Sequence, residues 1–196
     1  MSRTLIPCLI FTLFVSCLSE EKGVEIGTQL LVNTDFSASQ INVSPWTSIS
    51  PEGFILGVSN EEFNSGSRSV FIESTDSLSL NSGIWRQTYR GRMPAEGRRV
   101  RLQAMIKGEN ITSNGSISNV FISIRAFPVE DSSGITSNRF VTSQNRIRVN
   151  GTFDWQPIEV SFPQFPGEVD ELTVFLVMGG RTFGKVYFDD VTLTVE

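Results

Sequence analysis

The chain has 196 residues, 39% hydrophobic and 19% charged, which suits one β-sandwich-sized core and is too short for two ordinary domains. Its net charge of −5 leaves no contiguous basic surface; the five arginines between Arg90 and Arg101 are outweighed by acids elsewhere, which excludes a nucleic-acid backbone as partner. Histidine is absent and the only cysteines are Cys8 and Cys17, so the body has no His-based general base, no Ser-His-Asp or Cys-His nucleophile, no thiolate metal site and no disulfide.

In chain order, Met1-Ser-Arg-Thr4 carries one positive charge and is followed by an apolar run, Leu5 to Val15, broken by Pro7, Cys8 and Thr12. It is too short to span a bilayer and has the shape of a secretory signal. Its end, Phe14-Val-Ser-Cys17, resembles a bacterial lipobox, which implies acylation of Cys17 and a signal peptide over residues 1–17. Two or three acyl chains on that cysteine are enough for stable anchoring. Residues 18–28 read as a polar tether, and Ser19-Glu-Glu21 just beyond the cysteine resembles the surface-export signal of some Gram-negative lipoproteins. The expected location is therefore the bacterial outer membrane, lipid-anchored. Surface exposure and a plain solvated tether are both open for residues 18–28, and ordinary signal-peptide cleavage is the alternative to acylation. The body begins near residue 29.

From there the chain breaks into short β-branched and aromatic segments divided by Gly, Ser, Asn and Pro. Strands are predicted over 29–36, 45–49, 54–59, 68–75, 84–90, 98–107, 119–127, 138–149, 155–162, 171–178 and 185–195. Alternation is clean in two of them. Val100, Leu102, Ala104 and Ile106 share one face; Val120, Ile122, Ile124 and Ala126 face a core and send Phe121, Ser123, Arg125 and Phe127 outward. The last strand alternates through Val186 and Phe188, slips by one residue at Asp189-Asp190, and resumes at Val191, Leu193 and Val195. An acidic pair at such a slip predicts a bulge, and two adjacent carboxylates require a cation or hydrogen-bond donors beside them. No helical period longer than two turns interrupts this pattern. An all-β sandwich or barrel follows.

Four pieces occur in the order found in galactose-binding-like jelly rolls of the type of carbohydrate-binding module families 4, 9 and 22. They are Leu31-Val-Asn-Thr-Asp-Phe36, Gly66-Ser-Arg-Ser-Val-Phe-Ile72, Trp85-Arg-Gln87 with Gly97 to Lys107, and Asp154-Trp155 with Val186-Tyr-Phe-Asp-Asp-Val191. The chain resembles this family over residues 29–196, which implies an all-β jelly-roll β-sandwich of two antiparallel sheets. The family's usual acid after the first-strand Phe is here Ser37. The resemblance implies a non-catalytic binder holding a glycan, or a host or cell-surface ligand, on a sheet face, with aromatic rings to stack on sugars and polar side chains for hydroxyls.

The candidate ligand residues are Trp46, Trp85, Gln87, Arg125, Phe127 and Phe140. Trp46, after Pro45 in a turn-rich segment, is expected near the surface, while Trp85 stands open between core and groove. For a structural Ca²⁺ the candidates are Asn33, Asp35, Glu73, Asp189 and Asp190, hard oxygen donors from both ends of the body; the alternative is that an Asp accepts backbone N–H bonds at the bulge. Two other functions remain open: a structural or host-adhesion lipoprotein that binds no glycan, and a carboxylate-based glycosidase.

Overall fold

The structure, a computed structural model, describes residues 23–114 and 119–196. The expected signal segment, Cys17 and the first part of the tether lie outside the described residues. Ten strands are described: β1 (Thr47–Ile49), β2 (Phe54–Ser59), β3 (Ser69–Ser74), β4 (Gly83–Tyr89), β5 (Val100–Ser113), β6 (Val120–Phe127), β7 (Phe140–Thr142), β8 (Gly151–Phe162), β9 (Glu171–Met178) and β10 (Thr182–Val195). They form two five-stranded antiparallel sheets, a front sheet β1-β4-β9-β6-β7 and a back sheet β2-β3-β10-β5-β8. This is the expected β-sandwich, with the jelly-roll habit of strands that alternate between sheets.

The core follows from period-two burial. Val100, Leu102, Ala104 and Ile106 of β5 meet Val120, Ile122, Ile124 and Ala126 of β6 across the interior, all buried. Leu172, Val174 and Leu176 of β9 and Val186, Phe188, Val191, Leu193 and Val195 of β10 complete it. The predicted slip in the last strand is real. Asp189 pairs with Met105 and Thr192 with Gln103, so Asp190 and Val191 together oppose Ala104, and Asp190 takes a left-handed φ of 47°.

Several boundaries differ from expectation. Residues 29–36 are not a strand: only Gln29 makes a ladder bridge, to Thr194, because Asn33 and Phe36 turn the chain with φ of 51° and 55°. The segment still runs beside β10, with Leu30 N–H donating to Leu193 O and Val191 N–H to Thr34 O. The stretch 138–149 shrinks to the three residues of β7, since Ser143 Oγ accepts from Ile122 N–H and Arg146 and Ile147 turn back onto Ser143 O. Strands β5 and β8 run longer than predicted and pair out to Ile111 and Gly151. Part of the expected tether belongs to the body, for Val24 N–H donates to Met93 O and Gly27 N–H to Val195 O.

Candidate functional site

The outward face of the front sheet collects the polar and aromatic side chains. Because neighbouring strands are in register, residues that share the outward phase fall into rows. One row runs Thr47, Arg86, Phe175, Ser123, Thr142; the next runs Thr88, Thr173, Arg125, Phe140; a third holds Glu171 beside Phe127. Arg125 lies over the Phe140 ring with its guanidinium carbon 4.6 Å from the centroid, and Phe140 is 38% exposed. Phe127 and Phe175 are half-buried, so each offers a ring edge or face to solvent. Thr88 and Thr173 hydroxyls are 3.0 Å apart, and Thr173 also donates to Glu171 Oε1 at 3.2 Å. Glu171 is ion-paired with Arg90 at 2.7 Å. Pro45, Thr47, Arg86, Thr88, Arg90, Phe127, Glu171, Thr173 and Phe175 line an open cleft of about 440 Å³.

Three of the six candidate ligand residues lie here: Arg125, Phe127 and Phe140. The other three do not, and each has a structural task. Trp46 is only 4% exposed; its ring packs 5.2 Å from Phe36, and its Nε1–H donates to Asn33 O at 3.0 Å. Trp85 is 6% exposed and points between the sheets, where its Nε1–H donates to Phe71 O at 3.1 Å. Gln87, 3% exposed, is a clamp: its Nε2 donates to Val32 O and its Oε1 accepts from Val32 N–H, both at 2.9 Å. A buried indole or amide needs such partners, so these contacts explain why the polar tips are tolerated inside.

Arg86 and Thr88 therefore replace Trp85 and Gln87 on the face. The signal for them was the alternation itself, which places Arg86 opposite Trp85 on the strand. Phe175 and Thr173 were missed because β9 reads as a near-continuous apolar run, in which the outward phase is hard to see.

The carboxylates gather at the β10 bulge. Asp189 is fully buried beneath the turn between β2 and β3: its Oδ2 accepts from the N–H groups of Asn64 (2.6 Å) and Ser65 (3.0 Å), and its Oδ1 from Asp190 N–H (2.8 Å). Asp190 accepts from Asn64 Nδ2 and from the Ser65 hydroxyl. Asp35 lies alongside, accepting from Ser37 N–H, while Ser37 Oγ accepts from Ser67 N–H. Gly66 sits so close that a β-carbon there would lie 2.7 Å from Asp35 Oδ2 and 2.4 Å from Ser37 Oγ, and its φ is 64°.

Burial pushes the Asp189 carboxyl up to about 6, against the downward pull of its three backbone donors. Glu73 is remote, paired in register with Lys185 (3.8 Å), and Asn33 bonds Ser44 O and Ala38 N–H. Among the described residues no group of three or more acidic side chains is placed to hold a metal ion. N–H and hydroxyl groups of the turn already bond the Asp189 and Asp190 oxygens, which favours the alternative in which the bulge carboxylates accept hydrogen bonds. Metal-stripped protein is accordingly expected to melt within about 2 °C of protein in excess Ca²⁺; a larger rise with Ca²⁺, lost in Asp189→Asn, would restore the ion.

No family model matches the sequence, and no curated protein matches it. Solved structures do resemble the fold. The CBM22-1 xylan-binding domain of Paenibacillus barcinonensis Xyn10C aligns with a TM-score of 0.55 at 11% identity, over 88% of this chain and 97% of that one. A cyclase from Fischerella sp. TAU aligns with a TM-score of 0.58 at 16% identity, over 87% and 98%. The enzymatically active domain of bacteriophage CBA120 tailspike protein 4 aligns at 0.58 and 15% identity; 86% of this chain is covered, but it spans only 21% of the tailspike chain. At these identities the likeness shows a shared fold alone, a jelly-roll β-sandwich.

Proposed function

We propose that this chain binds a carbohydrate on the outward face of its front sheet and does not cleave it. The observation that carries the reading is the grid of half-exposed rings (Phe127, Phe140, Phe175) interleaved with arginines and threonine hydroxyls over an open cleft. Rings supply faces for the C–H side of a pyranose, and the polar groups supply donors and acceptors for its hydroxyls. The xylan-binding domain with the same fold adds weight to a sugar ligand. A catalytic reading, which the cyclase and tailspike neighbours would favour, has less support. Among the described outward residues of this sheet Glu171 is the single carboxylate, and Arg90 holds it in an ion pair, whereas glycoside hydrolysis uses two.

The test is a glycan array followed by a hydrolysis assay on every glycan that binds. Phe127→Ala and Phe175→Ala are expected to weaken binding about tenfold each while shifting the melting temperature by no more than about 5 °C. An empty array from folded protein would remove the sugar reading and favour an adhesion or structural role.

Acylation of Cys17 and attachment to the outer membrane form part of the same proposal, supported by the resemblance of Phe14-Val-Ser-Cys17 to a lipobox. Cys17→Ala is expected to leave the protein unprocessed at that cysteine and out of the detergent-phase lipoprotein fraction. Unchanged fractionation of the variant would refute the anchor.

A further inference from the structure

We infer that the ligand of this face is an anionic glycan, one carrying carboxylate or sulfate groups; the inference rests on the sugar-binding reading above. The chain as a whole is acidic, with a net charge of −5, yet the outward face of the front sheet carries three arginines against one glutamate. Arg90 and Glu171 neutralise each other at 2.7 Å. The remaining two, Arg86 and Arg125, have no carboxylate partner among the described residues. Among the described residues the only side-chain hydrogen bond of Arg86 runs from Nε to Thr47 Oγ1 at a long 3.4 Å, and Arg125 rests on the Phe140 ring.

Several cations elsewhere in the molecule are handled differently. Arg99 and Arg101 pair with Glu196, Lys107 with Glu62, and Lys185 with Glu73. Arg68 and Arg139 are buried and direct their terminal guanidinium NH groups to backbone carbonyls. Arg146 and Arg181 also lack a carboxylate partner among the described residues, but they stand in turns, whereas Arg86 and Arg125 share one sheet face with aromatic rings between and beside them.

Their placement fits a chain-like ligand. Arg86 neighbours Phe175 and Arg125 neighbours Thr173, so the two arginines straddle β9. At ordinary strand spacing and rise their Cα atoms are about 12 Å apart, wide enough for a short run of linked pyranose rings to lie between them. Phe175 occupies the middle, with Phe127 and Phe140 at one end. A guanidinium presents a planar fork that matches a carboxylate or sulfate in two parallel hydrogen bonds, a geometry neutral hydroxyls do not satisfy as well. Stacking of Arg125 on Phe140 holds that fork in place before any ligand arrives. Repulsion by the acidic remainder of the surface would keep polyanions away from other sites, so the charge contrast favours this one.

The experiment titrates the folded protein with polygalacturonate, the same polymer fully methyl-esterified, dextran sulfate and neutral xylan, at low and at high salt. Polygalacturonate or dextran sulfate is expected to bind at least about tenfold tighter than the ester or xylan, with the advantage shrinking several-fold at high salt as charges are screened. The tighter of the two identifies carboxylate or sulfate as the group read. Arg86→Gln and Arg125→Gln, which keep the bulk and remove the charge, are each expected to erase most of that preference while binding to the neutral polymers persists. Equal, salt-independent binding to acid and ester would overturn the anion inference and leave the sugar reading standing. Failure to bind any of the four polymers, joined to an empty array, would overturn both. Binding to the anions that survives the Arg86→Gln, Arg125→Gln double variant would place the contact elsewhere and overturn the inference alone.

Discussion

Trp85→Ala is expected to lower the free energy of unfolding by about 3–5 kcal/mol, the range for deleting a buried large aromatic side chain. The ring is almost wholly buried and supplies the donor to Phe71 O, so truncation opens a cavity between the sheets and leaves a carbonyl without its side-chain partner. The same strand offers an internal control. Arg86, one residue on and pointing the other way, is exposed, and Arg86→Ala is expected to change stability by less than about 0.5 kcal/mol. Urea titration of both variants reads the difference directly. A Trp85→Ala protein as stable as wild type but deficient in glycan binding would move this ring onto the ligand face and reverse the assignment made from the structure.

Mild acid is expected to strengthen the fold, and Asp189 is the reason. Its carboxyl titrates at about 6 in the folded chain against an ordinary value of 3.8, because burial disfavours the charged form. Between those two values the native state holds a proton that the unfolded chain has lost. Stability therefore falls as pH rises from about 4 through 6 and levels off above that. A shift of this size corresponds to about 3 kcal/mol.

Asp131 and Glu168 act in the other direction. Hydrogen bonds from Ser133 and from Ser132 hold their carboxyls below the usual range, so their contribution is present above the ordinary carboxylate values and lost as pH falls through the folded ones. The stability optimum should consequently lie at about pH 4, close to the ordinary carboxylate values. Denaturant titrations at pH 5 and pH 7.5 test this: a flat profile in wild type, or an unchanged slope in Asp189→Asn, would show that Asp189 is not the group responsible.

Much of the fold could be read from the alternation of side chains. Strand β6, and β5 as far as Ile106, carry their apolar core residues at every second position, and the slip at Asp189-Asp190 announced the bulge. Residues 29–36 misled because Leu30 and Leu31 are apolar and buried, yet two left-handed residues fold the stretch into a turn; side-chain hydropathy does not report φ. The ligand face was half legible. Arg125 and Phe127 followed from the phase of β6, whereas Trp85 and Gln87 were drawn to the surface by their chemistry against the phase of their own strand. Composition favoured a tryptophan and a glutamine as sugar contacts. Geometry gave one to the core and the other to the clamp on Val32. The acidic cluster at the bulge could not be resolved either way from sequence, since its donors come from Asn64 and Ser65, more than a hundred residues away along the chain.

The position of β10 has a consequence for how the protein comes into being. This strand is the last part of the sandwich to be synthesised, yet it lies in the middle of the back sheet, hydrogen-bonded to β3 on one side and β5 on the other. Until it emerges, both neighbours expose unpaired edges, and the core lacks Val186, Phe188, Val191, Leu193 and Val195. A nascent chain halted short of residue 182 cannot close the sheet, so closure of the sandwich waits on contacts between distant parts of the sequence, a regime of milliseconds to seconds. For that interval its open edges are free to pair with other chains, a hazard that a chaperone masking them would remove.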